Sequence, residues 1–386
     1  MANSVIGLID CKDRKSLSAI SRPRVTFVTS SMNLGGAERQ LLLLCNELKY
    51  EVEIEIISLD AGGPLLPKYK ATWPDLKIVD SEKLSPFFVL FELRKLIKIS
   101  RPDVVITWLY RADILGGIAT KLIGNKTRVL WSARNSEIPN LNFVKKWMLL
   151  LLSKKLPASI VANGNPAIEF HKSLGYPQGK IRKIENLLAP WTAIARSHSR
   201  LLSGFVGMEN IRLGIAARQV SGKGILETIS AAEKCDFTID LQIIGQNTTE
   251  SFGWRSSGKY RSHNVREITD DGELAAWFAS LDLYLMSSSQ WESQPNSLLE
   301  AIAIGCPVLV SDRIKLDIEI PSELTYNSSD VGSLGDALGT LATLETNHLL
   351  GLVSSLRELV LLRFSRERII GEWLFLIRGA KSDSDK

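Results

Sequence analysis

Short apolar runs alternate along the first half of the chain with longer stretches in which apolar residues recur every three or four positions. RVTFVTS (24–30) precedes the amphipathic stretch GAERQLLLLCNELK (36–49), and the alternating run VEIEIISL (52–59) follows it. Further strand-like runs are PDVVITWL, TRVLWS and SIVAN. This alternation of strand and helix patterns predicts βαβ units built around a parallel sheet.

The pattern begins again after a stretch of weak periodicity at 195–210, which predicts a linker. Four strand-like runs follow, IRLGIAA, IDLQIIG, DLYLMSS and PVLV, with a helix predicted from about Ile225. A last amphipathic stretch starts at Ser365, a good N-cap residue, and predicts a helix that packs back on the first half. The fold class is therefore α/β, with two Rossmann-like, doubly wound domains facing each other across a cleft. We expect the domains at residues 1–190 and 191–364, followed by a crossover helix and tail at 365–386.

Length and composition limit the possible classes of protein. A chain of 386 residues exceeds what a single core usually organises, which agrees with two domains. Its four cysteines and four histidines are scattered, without a C-x-x-C pair or two histidines one helical turn apart. This argues against a disulfide framework and a metal centre, and it is typical of a reducing, cytoplasmic compartment. The first residues show no charged stretch followed by a long apolar run, so no secretory signal is expected, and no apolar run reaches the length of about 18 residues that a spanning helix needs.

Positive charge is concentrated in the first half of the chain. Residues 1–190 hold 28 Lys and Arg against 17 Asp and Glu, a net charge of +11, whereas the remainder holds 19 against 25, a net charge of −6. A basic half predicts an anionic partner, such as a membrane surface or a phosphorylated substrate; a solvated basic surface without a partner is the alternative. No nucleic-acid partner is expected, because the basic residues are not interleaved with aromatic residues in a nucleic-acid-binding motif.

Two glycine-containing stretches are candidate phosphate sites. Gly35 and Gly36 stand where the first strand ends and a helix opens, so the backbone can approach a ligand closely and the helix start offers free N–H donors. A tight strand-to-helix turn would explain these glycines as well. In RQVSGKG (218–224), Arg218 and Lys223 flank a glycine loop before a helix, which suits a diphosphate; two solvated surface cations are the alternative.

The segment ESQPNSLLE (292–300) carries two carboxylates eight positions apart. Pro295 is tolerated in a first helical turn, so a helix is predicted to begin near it, with Glu292 in the preceding loop and Glu300 inside the helix. Glu292 and the free N–H groups of the helix start suit a polyhydroxylated ligand, and Glu300 suits vicinal hydroxyls such as those of ribose. The alternatives are a charge that only stabilises the helix start and a glutamate on a solvated face.

In this order, GGAER, the Arg-Lys-Gly loop and the E-x7-E segment leading into AIAIGCPVLVSD resemble the retaining glycosyltransferases of the GT-B fold, of the family-four type (glycosyl transferases group 1). The resemblance runs from about residue 24 to residue 379. It implies a hexosyltransferase that moves a sugar from a UDP- or GDP-linked sugar to a glycan or lipid-linked acceptor, in polysaccharide or glycolipid synthesis. It implies no cofactor and no metal, because cations and a helix dipole neutralise the leaving phosphate.

The resemblance also implies a role for each matched residue. Arg218 and Lys223 would hold the diphosphate, and Glu292 would contact the transferred sugar, so these three form the catalytic set. Glu300 would bind the ribose hydroxyls. The remaining donor-binding residues would be Gly35, Gly36, Ser293, Gln294, Pro295 and Asn296.

The chain departs from the family pattern at several positions. Relatives often carry a histidine where this chain has Arg111, which is expected on the acceptor side together with Asn135. The sugar-binding loop reads Glu-Ser-Gln-Pro where Glu-Gly-Phe-Pro is common. These departures leave the sugar open, and they motivate two alternatives. One is a degenerate protein that binds a sugar nucleotide or a partner without turnover, and the other is a nucleotide-sugar epimerase of the same fold.

A basic apolar stretch, NFVKKWMLLLLSKKLP (142–157), places four lysines around a tryptophan and a leucine cluster. Such a helix can lie on an anionic membrane with its lysines at the level of the headgroups, which predicts a peripheral protein on the inner face of the membrane. A core helix with charged ends is the alternative.

Overall fold

The computed structural model describes residues 22–124, 126–134, 143–193, 210–217, 222–233, 235, 237–245, 260–262, 268–288, 292–330 and 332–379. As predicted, they form two α/β halves, each built on its own parallel sheet.

The N-terminal sheet has seven parallel strands within the described residues: β1 (Arg24–Thr29), β2 (Glu53–Ser58), β3 (Lys77–Ile78), β4 (Val104–Trp108), β5 (Arg128–Ala133), β6 (Ser159–Ala162) and β7 (Ile181–Lys183). Their order in the sheet is β3-β2-β1-β4-β5-β6-β7. The accompanying helices are α1 (Gly36–Leu48), α2 (Leu66–Thr72), α3 (Pro86–Ser100), α4 (Tyr110–Lys121), α5 (Phe143–Lys155) and α6 (Asn165–Ser173). The central strand β4 is buried along its whole length, as expected where helices cover both faces of a parallel sheet.

The C-terminal sheet has six parallel strands within the described residues: β8 (Asn210–Ala216), β9 (Thr238–Ile244), β10 (Tyr260–Ser262), β11 (Leu283–Met286), β12 (Val308–Ser311) and β13 (Thr325–Tyr326). Their order is β10-β9-β8-β11-β12-β13. The accompanying helices are α7 (Ile225–Ala232), α8 (Asp271–Ser280), α9 (Asn296–Ile304), α10 (Ser333–Thr343), α11 (Thr346–Arg363) and α12 (Arg366–Arg378).

Every strand-like run noted in the sequence is a strand of one of the two sheets. The strands that the pattern did not indicate, β3, β7, β10 and β13, are two or three residues long and lie at sheet edges. They are too short to show a hydrophobic period. The predicted linker at 195–210 lies outside the described residues except for Asn210, which begins β8, and the domain limits therefore stay a prediction.

The last helix, α12, returns to the N-terminal half, as predicted. Its Trp373 is buried and stacks on Trp108 of β4, with ring centroids 6.2 Å apart. Arg128, at the start of β5, donates a hydrogen bond of 2.9 Å to the carbonyl oxygen of Leu376, near the helix end where the dipole favours a cation. Ser365 precedes the helix in the extended conformation of an N-cap, but its side chain makes no capping hydrogen bond.

The segment that follows β7 is bound by helices of both halves. Gln40 of α1 exchanges two hydrogen bonds with the backbone of Leu187, at 2.7 and 2.8 Å. The buried Glu185 forms ion pairs with Arg363 of α11 and Arg368 of α12, at 2.8 and 2.6 Å. The end of the N-terminal sheet is therefore tied to the helices that follow the second sheet.

Helix α5 packs on the core of the N-terminal half through Leu149 and Leu152, as the core-helix alternative predicts, and leaves its first turn exposed. Its buried residues are Leu149 and Ser153, whereas Phe143, Val144 and Trp147 are 82%, 68% and 56% exposed. Among the described helices of the chain, none is long and apolar enough to cross a bilayer.

Candidate functional site

A cleft of about 800 Å³ lies between the two halves. It opens at the carboxyl ends of the strands of both sheets, where ligands bind in open parallel α/β folds. The N-terminal wall includes the start of α1, Arg134, Asn163 and Asn186. The C-terminal wall includes Lys223 and most of the segment 292–300. The structure thus brings together the glycine pair, the lysine loop and the two carboxylates that the sequence singled out.

Two helix N-termini, one from each half, meet in the cleft. Helix α1 follows Gly35 and helix α9 follows Pro295, and neither of these N-cap residues has a side chain that can accept a hydrogen bond. The Asn296 side chain donates to the carbonyl oxygen of Gly36 at 2.8 Å. Because the first N–H groups of a helix have no intrahelical acceptor, both helix starts present donors and positive dipole ends to the same space.

Neighbouring side chains leave little room beside Gly35 and Gly36. A Cβ atom at Gly36 would lie 3.1 Å from Nδ2 of Asn296, so the Asn296 side chain would have to shift by a few tenths of an ångström. A Cβ atom at Gly35 would lie 2.2 Å from a carboxylate oxygen of Glu38. That carboxylate is held by the Ser31 hydroxyl at 2.6 Å and has little freedom to move away.

Lys223 and Glu292 form an ion pair in the cleft, with Nζ and Oε1 2.5 Å apart. Both side chains are about one-fifth exposed, at 18% and 23%. Gly224 holds a left-handed backbone conformation with φ of +70°, and a Cβ atom there would meet the carbonyl oxygen of Ser287 at 2.0 Å. Only glycine therefore allows the tight turn that brings Lys223 to the cleft. The alternative of a solvated surface lysine is wrong.

Glu300 lies on α9 with an exposure of only 3%, so the alternative of a solvated face is wrong. Its Oε1 accepts a hydrogen bond of 3.2 Å from Arg39 of α1, which makes an ion pair across the cleft. Its Oε2 is buried and has no hydrogen-bond partner within the described residues. Burial raises the pKa of this carboxyl, and the neighbouring Arg39 offsets part of the rise. A buried carboxylate oxygen without a donor is suited to receive a ligand hydroxyl.

The loop before α9 is bound to the N-terminal half by side-chain hydrogen bonds. Ser293 donates to Asn163 at 2.8 Å, and the backbone N–H of Asn186 donates to Gln294 Oε1 at 2.6 Å. The Asn186 side chain also donates to Oδ1 of Asn296, at 2.6 Å. These bonds hold the loop in a fixed position relative to both sheets.

Arg134 is a cleft residue that the sequence did not single out. It follows β5, is 8% exposed, and donates hydrogen bonds of 2.8 Å to Ser132 Oγ and Asn186 Oδ1. Its guanidinium lies 4.5 Å from the Trp108 ring centroid and 5.6 Å from that of Trp373. Burial lowers the pKa of Arg134 to about 9, so the group remains charged at neutral pH.

Arg111, which is expected on the acceptor side, does not line this cleft. Arg111 hydrogen-bonds to Ser81 and lines a separate apolar pocket of about 190 Å³ beside Met148. Asn135 lies outside the described residues, and so does Arg218 of the predicted catalytic set. In the described part of the chain, no group of three or more His, Cys, Asp or Glu side chains is arranged to hold a metal ion.

Both halves of the chain match family models of glycosyltransferases. Residues 34–188 match the model described as Glycosyltransferase Family 4, and residues 212–343 match the model described as Glycosyl transferases group 1. The chain belongs to the GT-B glycosyltransferases. Both matches lie within the two halves that form the cleft walls.

Solved structures share this glycosyltransferase fold over nearly the whole chain. Anabaena Alr3699/HepE in complex with UDP and glucose has a TM-score of 0.76 and 13% identity, with 93% of this chain and 100% of that chain covered. A glycosyltransferase from Rickettsia africae ESF-5 has a TM-score of 0.70 and 16% identity, with 93% and 98% covered. At these identities the likeness establishes the fold alone.

A curated glycosyltransferase from Campylobacter jejuni is similar over part of the sequence. It is named GalNAc-alpha-(1->4)-GalNAc-alpha-(1->3)-diNAcBac-PP-undecaprenol alpha-1,4-N-acetyl-D-galactosaminyltransferase, and it is 35% identical over 124 residues. The match covers 30% of this chain and about a third, 33%, of that relative's length.

Proposed function

We propose that the protein transfers a sugar from a nucleoside-diphosphate sugar to a glycan or lipid-linked acceptor, with retention of the anomeric configuration. The observation that carries this proposal is the convergence, in one cleft, of two helix N-termini with the Lys223–Glu292 pair and Glu300. Positive groups for a diphosphate and carboxylates for hydroxyls are the complementary chemistry of a nucleotide sugar.

The donor would span the C-terminal wall. A ribose hydroxyl would donate to Oε2 of Glu300, which has no partner among the described residues. The diphosphate would lie between Lys223 and the N–H groups at the starts of α1 and α9. We favour UDP over GDP as the carrier, since the structural neighbour Alr3699/HepE was crystallised with UDP. Arg218, which the family resemblance assigns to the diphosphate, would add a second cation.

The chemistry begins when Lys223 exchanges its carboxylate partner for the donor phosphate. Glu292 is then released to contact the transferred sugar. The bond between the anomeric carbon and the phosphate oxygen breaks toward an oxocarbenium-like state, and Lys223 with the two helix starts stabilises the departing diphosphate. The acceptor oxygen forms its bond on the same face of the sugar, and its proton passes to the departing phosphate.

The acceptor would be lipid-linked and would be presented at the inner face of a membrane. The Campylobacter relative is named for a PP-undecaprenol substrate, which supports a lipid carrier here. The exposed Phe143, Val144 and Trp147 stand beside Lys145 and Lys146 on α5, a combination that suits an anionic bilayer surface.

Vesicle flotation tests the membrane contact. The wild-type protein should float with vesicles containing anionic lipid at low salt, and a Phe143→Ser/Trp147→Ser variant should not. Phe375→Ser on α12, which changes another exposed aromatic residue, should float like the wild type. Absence of wild-type flotation would remove the membrane from the proposal and leave the sugar transfer intact.

Thermal shifts with UDP-, GDP-, ADP- and dTDP-sugars test the donor. A ligand that binds the native state raises the melting temperature by mass action. We expect a rise with the UDP-sugars that shrinks in Glu300→Gln and persists in Glu358→Gln, an exposed glutamate of α11. A shift without release of nucleoside diphosphate across many acceptors would favour the degenerate, non-catalytic alternative. No shift with any donor would count against the proposal altogether.

A further inference from the structure

Arg134 is a buried cation on the N-terminal wall of the cleft. Its two hydrogen-bond acceptors, Ser132 Oγ and Asn186 Oδ1, are neutral groups. No carboxylate of the described residues lies within ion-pair distance of it. Burying a charge without an opposite charge is costly, and stacking on Trp108 offsets only part of that cost. A buried positive charge without an opposite charge in the protein indicates a site where a ligand supplies the anion.

The other described cations of the cleft differ from Arg134 in this respect. Arg39 pairs with Glu300 at 3.2 Å, and Lys223 pairs with Glu292 at 2.5 Å. A donor that binds to these groups meets charges that are already balanced. Arg134 is therefore the described cleft cation whose charge a second anion can balance.

The hydrogen bonds of Arg134 show where this second anion would lie relative to the sugar-binding loop. Arg134 donates to Asn186, and Asn186 in turn donates to the carbonyl oxygen of Gln294 at 3.2 Å. The guanidinium is thus two hydrogen bonds away from the loop proposed to hold the transferred sugar. It lies on the wall opposite Lys223, which is the side left for the acceptor.

We propose that Arg134 receives a phosphate group of the acceptor, carried within about one sugar unit of the hydroxyl that is glycosylated. A guanidinium suits this role because its planar fork matches two phosphate oxygens. The proposal rests on the proposed function and deepens it. A sugar phosphate or a lipid-diphosphate-linked monosaccharide is the favoured acceptor class, and a long neutral glycan is disfavoured.

Calorimetric titration of inorganic pyrophosphate into the protein saturated with UDP tests the proposal. A hydrogen bond to a charged group is worth roughly 1.5–3 kcal/mol, so Arg134→Gln should weaken pyrophosphate binding by about tenfold or more. The affinity of the same variant for UDP should change by no more than about twofold, as for a change outside the donor site. Arg94→Gln, at an exposed position of α3, should leave both affinities unchanged.

Arg134→Lys separates anion binding from a purely structural role. The lysine keeps the charge and loses the stacking on Trp108, so it should bind pyrophosphate better than Arg134→Gln does. If both variants lose thermal stability equally while pyrophosphate affinity stays at the wild-type value, Arg134 only joins α12 to the N-terminal half and the proposal is wrong.

Two further outcomes would also overturn the proposal. If UDP affinity falls in Arg134→Gln as much as pyrophosphate affinity does, the phosphate belongs to the donor. If pyrophosphate does not bind to the UDP-saturated wild type, Arg134 takes no second anion. Failure of every nucleoside diphosphate to bind would instead contradict the proposed function, and pyrophosphate titrated into the free protein and its Arg134 variants would still decide the role of Arg134.

Discussion

The two walls of the cleft are built in different ways. The C-terminal wall takes both of its carboxylates and a helix start from one continuous segment, 292–300. The N-terminal wall takes Gly36, Arg134, Asn163 and Asn186 from four separate places, each beyond the carboxyl end of a strand. A local motif can specify the first wall, whereas the second wall exists only after the sheet has assembled.

The walls also differ in how their charges are balanced. The described charged side chains of the C-terminal wall all lie in ion pairs, Lys223 with Glu292 and Glu300 with Arg39 of the facing wall. Arg134 on the N-terminal wall has no such partner among the described residues. A ligand phosphate that binds Lys223 would therefore replace the carboxylate of Glu292. A phosphate that binds Arg134 would instead balance a positive charge that no described carboxylate balances.

Trp373→Ala should have the largest effect, because it removes the support behind the N-terminal wall. Trp373 is 1% exposed and packs against Trp108, which in turn stacks on Arg134. Truncation of a buried tryptophan costs roughly 3–5 kcal/mol of unfolding free energy. Urea denaturation measures this loss. Phe375→Ala on the same helix, at 63% exposure, should stay within about 0.5 kcal/mol of the wild type. Equal effects of the two changes would show that α12 does not support the wall.

Lys223→Ala tests the C-terminal wall alone. Removal of one preorganised donor to a developing negative charge typically lowers kcat by about 10²–10³-fold. We expect a loss of that size in the release of UDP, with a melting temperature close to that of the wild type, since the lysine is partly exposed. Lys315→Ala, on an exposed position of the same half, is the matched control. A small effect on kcat with a large effect on KM would assign Lys223 to binding and not to the departure of the phosphate.

The contrast between the walls also explains what the sequence could predict. The longer strands of both sheets, the start of α9 and the return of α12 follow from hydrophobic periods and from the positions of Pro295 and Ser365. Glu292 and Glu300 could be predicted as cleft residues because both belong to the one segment 292–300.

Arg39, Asn186 and Arg134 were missed, because their partners are distant in sequence. Arg39 reaches Glu300 across 261 positions, and Asn186 reaches Gln294 across 108. The one local signal was a polar residue directly after a buried strand, as in SIVAN and TRVLWSAR. That signal is common in loops and does not identify a site by itself.

Asn186→Ala should weaken the connection between the two walls. The substitution removes the acceptor of Arg134 and the donor to Asn296, which leaves buried polar groups unsatisfied. Each such group costs about 1–3 kcal/mol, so we expect a loss of stability in that range and a higher KM for the donor. Asn210→Ala, at an exposed position, is the control. Unchanged KM with reduced stability would mean that the connection is structural and does not set the donor site.

Glu300→Gln should have the smallest effect, and this effect should be specific to recognition of the ribose hydroxyl. If a ribose hydroxyl donates to Oε2, the wild type should bind UDP about tenfold more tightly than 2′-deoxy-UDP, as expected for a hydrogen bond to a charged group. The amide should reduce that difference, because its NH2 group cannot accept. Equal discrimination by both proteins would place the ribose elsewhere.

The pH dependence of UDP binding and of stability gives a second, independent test of whether Glu300 contacts the ligand. Burial raises the pKa of Glu300, so UDP affinity should fall on acidification at a higher pH than for an exposed glutamate, since only the ionised form accepts both hydrogen bonds. The free energy of unfolding has the opposite pH dependence. Because the pKa of Glu300 is raised in the native state, its protonation stabilises the folded protein at low pH, and this stabilisation is lost as pH rises through the native pKa. Calorimetry with UDP and thermal melts without ligand, each compared with Glu300→Gln, should therefore give opposite slopes. Parallel slopes would mean that the ligand does not contact this carboxylate, and the two walls would then be joined by Arg39 and Glu300 for structural reasons alone.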